Sequence, residues 1–145
     1  MNITIFEVAN WFLSRQSMTH KKLQKLCYYA QAWHLALFQN ELFTENFEAW
    51  VHGPVNKDLY QKYKENGWNL IPQAGNINIA LEISGFLERI WETYGEYDGH
   101  QLEALTHSEA PWINARVGLN TWQASNVSIS GDDMANYYRG QYDGD

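Results

Sequence analysis

One stretch constrains everything else. Between Lys22 and Phe38, in KLQKLCYYAQAWHLALF, Leu23, Leu26, Cys27, Ala30, His34, Leu37 and Phe38 recur at three- and four-residue steps, the repeat of one face of an α-helix. Tyr29, Ala32, Trp33, Leu35 and Ala36 widen that stripe until it nearly encircles the helix. A helix apolar on most sides belongs inside a domain, so residues 22–39 are expected to form a buried central helix. After Asn40 the period changes to alternation: Phe47, Ala49 and Val51 face one way and Glu48, Trp50 and His52 the other, as in a short half-buried strand. Gly53 and Pro54 should end it. A proline fits the first turn of a helix, where its missing N–H has no partner to lose, so Pro54 is read as opening a helix with Val55, Leu59 and Tyr63 inward.

The flanks are read by the same rules. Ile5, Val8, Ala9, Phe12 and Leu13 keep helical spacing behind a Thr4 cap, giving a first helix to about Arg15, and Thr19 is placed to cap the second. His20, Lys21, Lys22 and Lys25 then crowd the start of the central helix, where cations oppose the macrodipole. An anionic contact would explain them, but a solvated charged face explains them more simply. Asn66 and Gly67 should stop the third helix, and Trp68–Asn78 reads as a loop with a short strand at 68–71. A fourth helix over 79–94 is closed by Gly95; Gly85 within it costs ~1 kcal/mol against alanine, tolerable if another backbone packs closely there. Asp98 with Gln101 makes a capping box opening a short helix with Leu102 and Leu105 inward. Pro111 begins another with Trp112, Ala115 and Arg116, and Ser130 with Asp133 opens a last helix over 131–139, Ile129 stapling onto Met134.

The expected architecture is mainly α: a single compact helical domain, residues 1–140, of six or seven helices around the buried central helix. A small two- or three-stranded β element is expected near Phe43 and Ala49–His52, and 141–145 forms a short acidic tail. A chain of 145 residues, 45% hydrophobic with seven Trp, can bury such a core unaided. Cys27 is the only cysteine, which excludes an intramolecular disulfide or a cysteine cage. No apolar run approaches the ~20 residues of a membrane span, and a cytoplasmic protein is expected. The net charge of −7 is uneven: residues 1–66 hold 7 Lys/Arg against 6 Asp/Glu, residues 67–145 hold 3 against 11. Such a balance repels nucleic-acid phosphates and suits a basic protein partner.

Chemistry is hard to find. The five histidines, His20, His34, His52, His100 and His107, contain no i, i+4 pair, so no metal is expected. His34 and Cys27 are read as buried core residues, and a thiol in apolar surroundings is a poor nucleophile. Phosphate-loop, dinucleotide and serine-nucleophile signatures are absent. Thr106, His107 and Glu109 are the most enzyme-like cluster, since a His between a hydroxyl and a carboxylate can relay protons. The same three can equally serve backbone groups where one helix ends and Pro111 starts the next.

Three motifs together point further: KLQKLCYYAQAWHLA at 22–36, FEAWVHGPVNKDLYQKY at 47–63 and LTHSEAPWINAR at 105–116. Their order, with Leu42–Phe43 between the first two and Tyr94–Gly95 before the third, resembles the Panacea domain, the SocA-like antitoxin or phage-associated protein family, from about Ile5 to Tyr138. The resemblance implies the antitoxin half of a type II toxin–antitoxin system. Its partner would be a cognate protein toxin, encoded by the adjacent gene and blocked by direct binding without cofactor or enzymatic activity. A proteolytic adaptor delivering the toxin to an ATP-dependent protease is the alternative, and an enzyme using His107 and Glu109 a weaker one. No nucleic acid or membrane partner is expected. Within the motifs, Leu23, Leu26, Cys27, Ala30 and Leu105 read as core and Gly53 and Pro54 as backbone geometry. Gln24, Lys25, Tyr28, Gln31, Trp50, His52, Lys57, His107 and Trp112 have polar tips or wide faces that could meet a partner. Trp50, His52 and Lys57 should lie together beside the Gly53–Pro54 turn.

Overall fold

The computed structural model describes residues 3–143. Helix α1, Ile5–Arg15, begins at a full capping box in which the Thr4 hydroxyl accepts from Glu7 N–H and the Glu7 carboxylate accepts from Thr4 N–H. Helix α2, His20–Phe38, begins at Thr19, whose hydroxyl accepts from Lys22 N–H, and ends where Gln39 turns left-handed. Helices α4 (Leu81–Tyr94), α5 (Gly99–His107) and α7 (Gly131–Asp143) join α1 around α2, with α3 (Lys57–Tyr63) and α6 (Ala110–Ala115) completing seven α-helices among the described residues. The expected helical domain around a buried central helix is therefore the observed one.

Its centre is aromatic and carries one buried carboxylate. Tyr29 stacks on Tyr94 with ring centroids 4.1 Å apart. Tyr29 and Tyr138 each donate a 2.7 Å hydrogen bond to Glu109 Oε1, so Tyr28, 3.1 Å from the Tyr138 hydroxyl, is left to donate to it. Burial raises the Glu109 carboxyl above its usual range, against the two tyrosine hydrogen bonds that favour its charged form.

The β element departs from expectation. Strands β1, Glu48–Trp50, and β2, Gly53–Val55, form an antiparallel hairpin with Trp50 opposite Gly53, so Val51 and His52 are the turn. Pro54 pairs with Ala49 instead of opening a helix. It is tolerated because β2 is an edge strand: the other edge of β1 is taken by residues 127–129, Ala49 N–H reaching Val127 O and Ile129 N–H reaching Phe47 O, both at 2.8 Å. Helix α3 starts at Lys57, three residues after the expected Pro54, because Asn56 is the cap. Its side chain accepts from Leu59 N–H, and its own N–H donates to Gln24 Oε1 on α2. Phe43 is in no strand either; Gln31 holds that segment, accepting from Leu42 and Phe43 N–H and donating to Phe43 O at 2.7 Å.

Smaller expectations also shift. Residues 68–71 make only an isolated bridge, Ile71 to Met18. No neighbouring atom lies within 4 Å of a side chain at Gly85, so the close backbone neighbour is not there. His34 is half-buried at the edge of α2, its ring 2.8 Å from Asn40 O. Helix α7 runs to Asp143, past 139, with Ile129 and Met134 both buried; the last two residues of the expected acidic tail lie outside the described residues.

Arg116 locks the β element from behind. Its buried guanidinium donates to Ala49 O at 2.8 Å, to Asn120 O at 2.9 Å and to Gln123 O. Arg116→Ala should cost about 2–3 kcal/mol, because it strands these carbonyls. Amide exchange in residues 117–129 should accelerate more than in α2; unchanged exchange there would show that Arg116 does not hold the segment.

Candidate functional site

The hairpin folds over the first turns of α2, and the ends of α3 and α5 close around it. Gln24 is the strut: its Oε1 accepts from Asn56 N–H at 2.9 Å and its Nε2 donates to Asn56 O at 3.1 Å, tying β2 to α2 as another strand would. The Trp112 indole N–H donates to Trp50 O at 2.8 Å and fixes the other strand. His107 stacks on Trp112 at 4.0 Å, with Nε2 buried and without a partner among the described residues. Burial depresses the His107 pKa, with Glu103 opposing, which favours the neutral ring.

Lys25 lies beneath the turn, 1% exposed. A Cβ on Gly53 would fall 2.8 Å from Lys25 Cε and 3.0 Å from Thr106 Oγ1, at a φ of 107° that side chains rarely adopt, so glycine is what lets the hairpin close over the lysine. Among the described residues, no hydrogen bond or ion pair takes the Lys25 ammonium. Burial brings its pKa down to about 7; Lys21 pushes the same way and Glu103 opposes. Glu103 itself is committed, with Oε1 2.5 Å from Lys21 Nζ and Oε2 3.3 Å from His52 Nδ1. Burial would raise its pKa, but these two partners outweigh burial and lower it.

Above Lys25 opens a cleft of about 350 Å³. His20 stacks on Tyr60 in its wall, 5.4 Å between centroids, and takes a hydrogen bond from Gln24 Nε2 at 3.1 Å, which places its proton on Nδ1. Burial, with Lys25 nearby, lowers the His20 pKa to about 4, so it is neutral at pH 7. Trp50 packs 4.9 Å from Tyr60, and Trp68, 77% exposed, stands at the mouth beside Lys21. Trp50 also lines a second cleft of about 510 Å³ on the far side of the hairpin, with Val51, His52 and Ala124–Asn126.

The structure thus gathers Gln24, Lys25, Trp50 and His52 around one cleft, with His107 and Trp112 supporting the hairpin behind it. Tyr28 and Gln31 are not there: both are core, bonded to Tyr138 and to the Leu42–Phe43 backbone. Lys57 is exposed at the start of α3, just after the Asn56 cap, and lies outside the cleft.

The cation cluster is no solvated face. His20, Lys22 and Lys25 are buried, Lys22 donating to Gly95 O at 2.6 Å and to Gln16 Oε1 at 3.0 Å. Thr106, His107 and Glu109 diverge as well. The Thr106 hydroxyl donates to Glu103 O, His107 faces Trp112, and Glu109 faces the tyrosines, so no relay connects them. Glu103, Tyr60 and Trp68 went unnoticed, since each looks like an ordinary surface residue in sequence. No three His, Cys, Asp or Glu among the described residues stand where they could share a metal, and no helix there is long and apolar enough to cross a membrane.

Compared with known proteins, residues 23–113 match the family model described as Antitoxin SocA-like, Panacea domain. That span holds most of α2, the hairpin, α3 to α5 and most of the third motif. No curated protein and no solved structure matches.

Proposed function

The chain belongs to the SocA-like antitoxin, Panacea-domain family, and from that premise we propose that it neutralises a protein toxin by direct, stoichiometric binding, without a cofactor and without catalysis. The observation that carries the proposal is the hairpin face. A two-residue turn is pinned from beneath by Gln24, Trp112 and Arg116, and flanked by two clefts that share Trp50. Loops held this firmly recognise partners without a large ordering cost, and tryptophan and tyrosine in part-open clefts are the residue types that dominate interface energetics. The diverging Thr106, His107 and Glu109 favour a binding module over an enzyme.

Co-expression with the product of the adjacent gene tests this. The toxin alone should stop growth, this protein should restore it, and the two should purify together. Trp68→Ala changes an exposed side chain and should leave the unfolding midpoint within experimental error, and His52→Ala, which removes one 3.3 Å contact to Glu103 from a largely exposed side chain, should cost at most about 1 kcal/mol; each should weaken capture about tenfold or more. Capture unchanged by both would move the interface off this face. Rescue that disappears in cells lacking their main ATP-dependent protease, with toxin accumulating, would replace blocking by proteolytic delivery.

A further inference from the structure

We propose that the cleft over Lys25 is a binding site for a single carboxylate carried on a flat apolar body, the acid against the Lys25 ammonium and the body among Trp50, Tyr60 and Trp68. The inference goes beyond the toxin reading and stands if the toxin docks elsewhere.

Four observations carry it. Lys25 is buried at the floor of the cleft, yet none of the hydrogen bonds or ion pairs among the described residues uses its ammonium. A cation withdrawn from water without a partner is costly, and proteins keep such groups where a ligand completes them. The one acidic neighbour, Glu103, already has both oxygens engaged by Lys21 and His52. The walls are aromatic, which suits a flat body, and the cleft of about 350 Å³ holds a ligand of roughly amino-acid size. Finally, among the described residues no carboxylate lines the cleft of a protein whose net charge is −7. With His20 neutral, Lys21 committed and Lys64 exposed at the rim, Lys25 is the one unengaged buried cation among the described residues of the lining, which matches a monoanionic carboxylate better than a phosphate dianion.

The groups facing the ammonium are His20 and Lys21 from α2, His52 from the turn, Lys64 after α3, and Glu103 and His107 from α5. Because Lys25 sits near neutrality, a bound carboxylate should draw a proton onto it, and affinity should fall as pH rises from 6 to 9. His52→Gln should preserve that dependence, which assigns it to the lysine and not to the imidazole at the rim.

The test titrates 3-phenylpropionate, acetate and inorganic phosphate into the full chain, followed by tryptophan fluorescence and by NMR of ¹³C-labelled lysine. Phenylpropionate should saturate, bind at least about tenfold tighter than acetate, and raise the pH midpoint of the Lys25 signal. Lys25→Met should weaken it about ten- to a hundredfold, and Lys57→Met should not. Acetyl-Ala-Ala-Phe with a free C-terminus separates the sources: tighter binding than phenylpropionate indicates the chain end of a partner, equal or weaker binding a free small acid. The proposal is overturned if the peptide amide binds as well as the acid or phosphate is preferred. It is overturned equally if the wild-type Lys25 signal stays put at saturating phenylpropionate, or if no probe binds.

Discussion

Leu26→Ala should lower the free energy of unfolding by about 3–5 kcal/mol, the upper part of the range for large-to-small core changes. Leu26 is 0% exposed, and its α2 neighbours Leu23, Cys27 and Ala30 are equally enclosed. Five other helices pack against α2, so the void left by the side chain has no solvent side from which to collapse. Cavity cost adds to transfer cost in that situation. Denaturant unfolding measures it directly, and a midpoint equal to that of the wild type would show that α2 is not the centre of the core.

Lys25→Met should act in the opposite direction and stabilise the protein, by an amount on the order of a few kcal/mol near pH 6. The sign follows from proton linkage. Burial lowers the Lys25 pKa from 10.5 in the unfolded chain to about 7 in the folded one, so between those values the unfolded chain binds a proton that the folded chain lacks. Wild-type stability therefore rises with pH through that window, while below pH 7 both states are charged and the full cost of the buried ammonium remains. The gain on replacing it should be greatest below pH 7 and shrink towards pH 10. Stability curves for the two proteins from pH 6 to 10 check this; parallel curves would mean that Lys25 keeps an ordinary pKa. A residue that lowers stability where it sits is one retained for binding, and the same substitution is expected to weaken carboxylate recognition about ten- to a hundredfold.

The helices were legible because their signals are local. Thr4 with Glu7, Thr19, and Asp98 with Gln101 cap where such residues should, and the α2 stripe is too wide for a surface helix. The hairpin was not. Proline satisfies the first turn of a helix and an edge strand equally well, and the choice fell to contacts distant in sequence: Gln24 with Asn56, and residues 127–129 along β1. The site was half legible for a related reason. Trp50 and His52 announce themselves as outward residues of an alternating run. Lys25 counts as polar in any periodicity, however, and only the hairpin closing over α2, permitted by Gly53, turns it from a solvated lysine into the floor of a cleft. Gln31 and Tyr28 show the converse, polar tips that serve the chain's own backbone and core.

The proposed capture of the toxin by the hairpin face is tested by hydrogen exchange on the purified complex with the adjacent gene's product. Protection on binding should concentrate at residues 50–53, at the start of α2 around Lys21–Lys25 and near Trp68, while α7 and the far side of α4 exchange as in the free protein. Failure to form a complex, or protection confined to α4 and α7 with the hairpin unchanged, would contradict it.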